Sequence, residues 1–366
     1  MKISIFIADE GYGHAMRQKN IIHELLDHIP FVEITVYGKD KLDLISDEFK
    51  DALSYVDIFN LMLTVKDDIG NLDLENTKSC FNEWFYRKDI WYSHVMKHID
   101  PSTDLIISDS VPQVSKVAKK LNIKLLNIQH FTWDWLYYSL YGEDEIFREL
   151  NKYYKIWGEF IFPPLTPKEN LKMHNDSIFI DFIVNRRLIR HTKFSTDKLN
   201  NSKNILLMNN GTNSLTTVIE KIIQELPTND NWNIFMRSDC ISEKIKEVAF
   251  KRNDIKIIND LSNMHLAIAK ADLIVARGGY NIVSEVLSLR KRALIIEETN
   301  NPEIVSNLDL IRNYKNMYIS SKDNVITDLQ KLIIEESKYT FKNETNLSAL
   351  GACQVVMKIS DTYSKN

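Results

Sequence analysis

Hydrophobic positions along the first half of the chain alternate between short strand-like runs and helical stripes. Apolar, β-branched runs cover residues 2–8, 32–37, 104–109 and 122–128, and helical stripes such as that of residues 21–26 lie between them. Strands that alternate with amphipathic helices are typical of a parallel, doubly wound sheet. The first half of the chain therefore predicts a Rossmann-like α/β domain.

The same pattern starts again after residue 203. Strand-like runs cover residues 204–208, 232–236, 255–258, 271–276 and 293–296, and a polar stretch at 186–202 precedes them. We predict an N-terminal domain over 1–185, a linker over 186–202, a second domain over 203–345 and a closing helix over 346–366. The predicted fold class is α/β, with two Rossmann-like domains whose parallel sheets face an interdomain cleft.

Two segments, residues 81–96 and 131–157, are dense in aromatic side chains. Their helical spacing favours packing in the core or between domains. The alternative interpretation is a face that binds an acceptor or touches a membrane surface.

Composition excludes several classes of protein. The 366 residues carry a net charge of -4, which gives no electrostatic basis for nucleic acid as a partner. The three cysteines are scattered without metal-ligand spacing, and the apolar run at the N-terminus is too short for a signal peptide. We therefore expect a cytoplasmic protein, with peripheral membrane association through the aromatic segments as the open alternative.

Glycine is scarce, and its distribution is informative. The chain has only 10 glycines, well below the roughly 7% average usage. Half of them lie in three places where a loop follows a predicted strand: Gly11, Gly13, Gly211, Gly278 and Gly279. Glycine is needed where the backbone turns into the left-handed region or approaches a ligand closely. In doubly wound sheets such loops bind ligands at the carboxyl ends of the strands.

The first glycine loop carries candidate catalytic chemistry. Residues 11–17 read GYGHAMR, which places His14 at the start of a helix, where an imidazole can act as a general base near neutral pH. Asp109 ends another predicted strand and could orient that ring. The alternatives are that His14 caps or packs and that Asp109 caps a helix. Arg17 could meet an anion or lie on the surface, and we favour a structural role for His130.

The second half carries a candidate nucleotide site. Residues 277–281 read RGGYN and open a helix, where exposed N–H groups suit a diphosphate. Glu285 follows one to two turns later and could accept hydrogen bonds from a ribose, or it could be an exposed helix residue. Glu303 and Asn307 follow the next strand at helical i, i+4 spacing.

Most of the chain resembles the GT-B-fold glycosyltransferases of family 28 and of the UDP-glycosyltransferase type, which include the lipid II-forming N-acetylglucosaminyltransferase. Residues 11–14 resemble the first glycine loop of that fold, and residues 210–214 resemble the second. Residues 260–285 are similar to the signature of the sugar-donor site, and Glu303 and Asn307 match the ends of the E-Q-x-x-N-A signature.

The resemblance implies an inverting hexosyltransferase that moves a sugar from a UDP-sugar, or a similar nucleotide-sugar, to an acceptor hydroxyl. It implies His14 as the general base and Asp109 as its partner, with no cofactor and no bound metal. The acceptor, whether glycan, lipid-linked sugar or small molecule, is not indicated. The residues it implies for the nucleotide-sugar are Gly11, Gly13, Gly211, Thr212, Met264, Arg277, Gly278, Gly279, Asn281, Glu285, Glu303 and Asn307.

Two departures from the family pattern leave other functions open. Ile304 stands where the signature has a glutamine that usually contacts the sugar, and the second loop has one glycine rather than two. A nucleotide-sugar hydrolase of the pseudaminic-acid pathway shares the fold and a similar Gly-x-Gly-His-x-Met-Arg loop, and is the first alternative. A non-catalytic protein that binds nucleotide-sugars is the second, and epimerases of this fold are the remainder.

Overall fold

The computed structural model describes residues 1–40, 42–184, 202–209, 213–237, 241–258, 264–335 and 349–363. The chain divides into two compact units. The first comprises Met1–Val65, Leu72–Ile183 and Ala349–Asn366, and the second comprises Lys66–Asn71 and Val184–Ser348. Apart from residue 202, the predicted linker lies outside the described residues.

The first unit contains a seven-stranded sheet in which every pairing is parallel. The strand order is β3-β2-β1-β4-β5-β6-β7. The strands are β1 (Lys2–Ile7), β2 (Glu33–Gly38), β3 (Ser54–Asp57), β4 (Leu105–Asp109), β5 (Lys124–Ile128), β6 (Glu159–Phe162) and β7 (Ser177–Phe179).

Helices cover both faces of this sheet. They are α1 (Gly13–His28), α2 (Asp43–Phe49), α3 (Leu74–His98), α4 (Val114–Leu121), α5 (Trp133–Tyr141), α6 (Glu145–Ile156), α7 (Lys168–Met173) and α14 (Gly351–Tyr363). Successive strand residues point to opposite faces, so that Phe6 and Ile106 enter one apolar core and Ile5 and Ile107 enter the other. The C-terminal helix α14 packs against α1 and completes the second of these cores.

The second unit repeats this architecture with six parallel strands in the order β10-β9-β8-β11-β12-β13. The strands are β8 (Lys203–Leu207), β9 (Trp232–Arg237), β10 (Ile255–Ile258), β11 (Leu273–Arg277), β12 (Arg292–Ile296) and β13 (Met317–Ser320). The helices are α8 (Thr216–Glu225), α9 (Glu243–Phe250), α10 (Met264–Lys270), α11 (Tyr280–Ser288), α12 (Pro302–Ile311) and α13 (Val325–Ile334). The prediction of two parallel α/β sheets is confirmed.

Strand order reverses beside the first strand of each sheet, at β1/β4 in the first unit and at β8/β11 in the second. The connections that leave these neighbouring strands run in opposite directions, which opens a crevice at their carboxyl ends. The loops singled out by sequence follow β1, β4, β8 and β11. Topology therefore places each candidate site at the position where doubly wound sheets bind ligands.

The aromatic segments lie mostly in the core of the first unit. Trp84, Trp133 and Tyr137 are fully buried there, whereas Tyr86 and Tyr138 are exposed. This burial supports the packing interpretation for most of these rings. Within the part of the chain that the structure describes, no helix is both long and apolar enough to span a membrane.

Candidate active site

The helix that carries His14 begins directly after the first glycine loop. Gly11 has a φ of +52°, in the left-handed region that favours glycine, and a Cβ at this position would meet no atom within 4 Å. Met16 N–H donates to the Tyr12 carbonyl at 3.0 Å, which closes the first turn of α1. This turn places His14 on the buried side of α1, at the carboxyl end of β1.

His14 contacts the last residue of β4. Its Nδ1 lies 2.7 Å from Oδ1 of Asp109, whose side chain is fully buried. A carboxylate can only accept, so the proton between the two groups belongs to Nδ1, and the lone pair of the neutral ring is on Nε2. The contact that sequence alone could not show is therefore present, in the orientation that a general base requires.

Two further residues of α1 hold the Asp109 carboxylate. Arg17 donates from Nε to Oδ2 at 2.8 Å and from Nη2 to Oδ1 at 2.5 Å, and Gln18 donates from Nε2 to Oδ2 at 2.8 Å. Burial by itself would raise the pKa of Asp109, but the Arg17 charge and the His14 contact hold that pKa well below its ordinary value. Asp109 is therefore an ionised carboxylate with a fixed position.

The network continues to the next strand of the sheet. Arg17 Nη1 lies 3.3 Å from Nδ1 of His130, which follows β5. Arg17 Nη2 and His14 Nδ1 lie 3.0 Å apart because both donate to Asp109 Oδ1, so this approach is not itself a hydrogen bond. Arg17 is 2% exposed, so it is neither a surface residue nor an open anion site. Gln18 was missed by the sequence analysis, although its spacing of four residues from His14 on one helix could have indicated it.

In the second unit, the two glycines that precede α11 have different surroundings. A Cβ at Gly278 would lie 3.2 Å from Leu308 and 3.3 Å from Ile304, whereas a Cβ at Gly279 would meet nothing within 4 Å. Gly279 is the N-cap of α11, and no side chain caps the first turn of this helix. The positive end of the α11 helix dipole therefore lies directly after the glycine turn, where it favours an anion.

Glu285 lies on the second turn of α11 and is partly buried. Burial raises its pKa to about 7. Among the described residues it forms no hydrogen bond or ion pair. Arg277, by contrast, makes a bidentate ion pair with Glu298, with Nε–Oε2 at 2.5 Å and Nη2–Oε1 at 2.9 Å. Glu285 is thus a carboxylate that is available to a ligand.

Helix α12 supports the glycine turn from behind. Asn301 caps the helix by accepting from the N–H of Glu303, and Asn307 is fully buried and donates from Nδ2 to the Gly278 carbonyl at 2.9 Å. Ile304, at the position where the family signature has glutamine, is fully buried against the turn. Its side chain packs in the core of the second unit.

The remaining predicted residues lie partly outside the described part of the chain. Gly211 and Thr212 are outside it, as is the side chain of Met264, the first residue of α10. Asn281 lies in the first turn of α11, where its carbonyl accepts from Ser284 Oγ at 2.7 Å. Gly13 is the first residue of α1.

Two parallel sheets with these switch points define the GT-B type of fold, and comparison with known proteins agrees. Residues 210–354 match the glycosyltransferase family 28 C-terminal domain. No curated protein matches the chain. Residues 210–354 are thus similar to the C-terminal domain of family 28 glycosyltransferases, and the two sheets have the GT-B type of fold.

Three solved structures illustrate the similarity in fold. The glycotransferase of kitacinnamycin is 12% identical, with a TM-score of 0.65 and 98% of each chain covered. The UDP-GlcNAc 2-epimerase from Neisseria meningitidis, bound to UDP-GlcNAc, is 15% identical, with a TM-score of 0.61 and 100% of each chain covered. MurG of Acinetobacter baumannii is 14% identical, with a TM-score of 0.54 and coverage of 100% of this chain and 99% of the other.

Proposed function

We propose that this protein is a glycosyltransferase that moves a sugar from a UDP-sugar to an acceptor hydroxyl with inversion, that His14 is the general base, and that no bound metal is required. The observation that carries the proposal is the 2.7 Å contact between His14 Nδ1 and Asp109 Oδ1. It fixes the tautomer whose Nε2 can accept a proton, on a ring that is 7% exposed at the carboxyl end of a parallel sheet.

The chemical step follows from this arrangement. His14 Nε2 takes the proton of the acceptor hydroxyl while the hydroxyl oxygen attacks the anomeric carbon. The bond from that carbon to the nucleoside diphosphate breaks on the opposite face, which inverts the configuration. Asp109 stabilises the imidazolium that forms. General-base assistance of this kind contributes typically about 10²–10⁴-fold, so positioning and stabilisation of the leaving group supply the rest.

The sugar donor is assigned to the second unit. The N-terminus of α11 beside Gly279 suits a diphosphate, and the Glu285 carboxylate, which has no partner among the described residues, suits the ribose hydroxyls. The family 28 match covers these residues, and the N. meningitidis epimerase of similar fold is bound to UDP-GlcNAc. Because Ile304 is buried, the contacts that select the sugar come from other side chains than the glutamine of the family signature.

The test is release of nucleoside diphosphate from a panel of nucleotide-sugars, with and without a cell-extract fraction that contains acceptors. A transferase gives slow release alone and faster release with the fraction, and the panel names the donor. Sustained release without any acceptor indicates the hydrolase instead. Binding of a nucleotide-sugar without release under either condition indicates the non-catalytic protein.

A further inference from the structure

A six-residue turn from the N-terminal part of the sequence belongs to the second compact unit. Residues Lys66–Asn71 lie between β3 and α3 in the chain, yet they group with Val184–Ser348. Within that unit, Gly70 lies directly against Ser214. The contact between Gly70 and Ser214 involves none of the residues assigned to the chemical step.

The turn is rigidly built. The Asp67 carboxylate accepts from the N–H of Ile69 at 3.1 Å and of Asn71 at 2.7 Å, and the Asp67 carbonyl accepts from the N–H of Gly70 at 2.9 Å. Asp67 N–H in turn donates to the Asn71 carbonyl at 2.9 Å. With a fifth hydrogen bond, from Asn71 Nδ2 to Asp67 Oδ2 at 3.3 Å, the loop is closed on itself.

Only glycine fits at the tip of this turn, for two independent reasons. Gly70 has a φ of +82°, which strains any residue that has a side chain. It is also buried, and a Cβ would lie 2.3 Å from the backbone nitrogen of Ser214 and 2.4 Å from its Cα. Backbone cannot move aside as a flexible side chain can, so the turn and the Ser214 backbone fit together without spare room.

Ser214 lies just before α8, the helix that follows the second glycine loop. From the other side, Asn209 at the end of β8 accepts from the N–H of Leu215 at 3.0 Å and donates to Thr216 Oγ1 at 3.0 Å. Among the described residues, no side chain caps the first turn of α8. The start of α8 is therefore in contact with both Asn209 and Gly70.

We infer that the Lys66–Asn71 turn is a positioning element for nucleotide binding: it fixes the start of α8 so that its N–H groups are preorganised for the diphosphate of the sugar donor. This inference rests on the proposed function. Ordering a loop during binding weakens affinity, so a contact that orders it beforehand strengthens binding without touching the ligand.

The test compares two glycine-to-alanine variants. Gly70→Ala places a Cβ on a backbone with positive φ and against the Ser214 backbone. Gly142→Ala is the matched control, because Gly142 has a φ of +77° but a Cβ there would meet no atom within 4 Å. UDP affinity is measured by calorimetry, and amide hydrogen exchange is measured over residues 213–218. We expect Gly70→Ala to bind UDP about tenfold more weakly and to exchange faster at the start of α8, and Gly142→Ala to match the wild type in both.

Unchanged UDP affinity in a folded Gly70→Ala protein, or equal losses in the two variants, overturns the inference. If Gly70→Ala does not fold, Asp67→Ala loosens the same turn without a clash and is expected to weaken UDP binding in the same direction; unchanged binding there overturns the inference as well. If the wild type binds no UDP, the proposed sugar donor fails. Hydrogen exchange at α8 then decides separately whether the turn orders this segment.

Discussion

The first glycine loop and the glycine turn before α11 both follow a strand next to a topological switch point, but they place charge in opposite ways. At the first, N–H donors of His14, Arg17 and Gln18 all bind the buried Asp109 carboxylate. At the second, Glu285 has no partner among the described residues, and the α11 N-terminus has no side-chain cap. Contacts of the first kind fix the position of a side chain, whereas a carboxylate without a partner among the described residues is available to a ligand. Substitutions in the first region should therefore affect rate and stability, and those in the second should affect affinity.

The strongest test of this contrast is His14→Ala. It removes the base but leaves the second unit intact, so we expect the transfer rate to fall by about 10²–10⁴-fold with nucleotide affinity nearly unchanged. The measurement is the steady-state rate together with calorimetric binding of the donor nucleotide. His28→Ala is a control on the same helix, where the imidazole is exposed. Full activity in His14→Ala would remove the general-base assignment.

The second test is Asp109→Asn, which changes the carboxylate that His14, Arg17 and Gln18 all bind. An amide NH₂ against His14 Nδ1 favours the tautomer whose Nε2 carries the proton, so transfer should fall by about 10²-fold or more. Loss of the carboxylate also leaves the Arg17 guanidinium buried without its counter-ion, which should cost about 3–5 kcal/mol of unfolding free energy. Rate and urea denaturation are measured together, with exposed Asp27→Asn as the control. A stable, active variant would show that the network is dispensable.

In the second region, Glu285→Ala should weaken binding without destabilising the fold. Two hydrogen bonds from a ribose to a carboxylate are worth roughly 1.5–3 kcal/mol, so nucleotide affinity should fall by about 10–100-fold while the melting temperature is maintained. Glu225→Ala, at the exposed end of α8, is the control. Equal affinities of Glu285→Ala and the wild type would exclude Glu285 from the ribose site.

The sequence predicted the strands and helices of the two sheets better than it predicted contacts between distant side chains. Period-2 apolar runs mark the buried central strands, and glycines after β1 and β11 mark the ligand loops. Edge and near-edge strands such as β7 and β13 escape this signal, because three or four residues with mixed exposure are too short to show a pattern.

The partners of Arg17 and Gly70 could not be predicted either. Arg17 binds Asp109, which is 92 positions away in sequence. The residues around Gly70 predict a turn, but they do not predict its contact with Ser214. Contacts of this kind are set by the packing of the sheet, which a local pattern does not encode.

The smallest effect expected is the pH dependence that Glu285 gives to stability. Burial raises the pKa of Glu285 to about 7 in the folded protein, against an ordinary value of 4.5. Between these values the folded state binds the proton more tightly than the unfolded chain, so this contribution to stability is complete at low pH and is lost as pH rises through about 7. Because the side chain is partly exposed, we expect a loss of about 1–2 kcal/mol between pH 5 and pH 8. Urea denaturation of Glu285→Gln at the two pH values should lack this decline. If Glu285→Gln lost as much stability as the wild type between these pH values, other groups would cause the loss. The pKa of Glu285 would then be close to that of an ordinary surface glutamate.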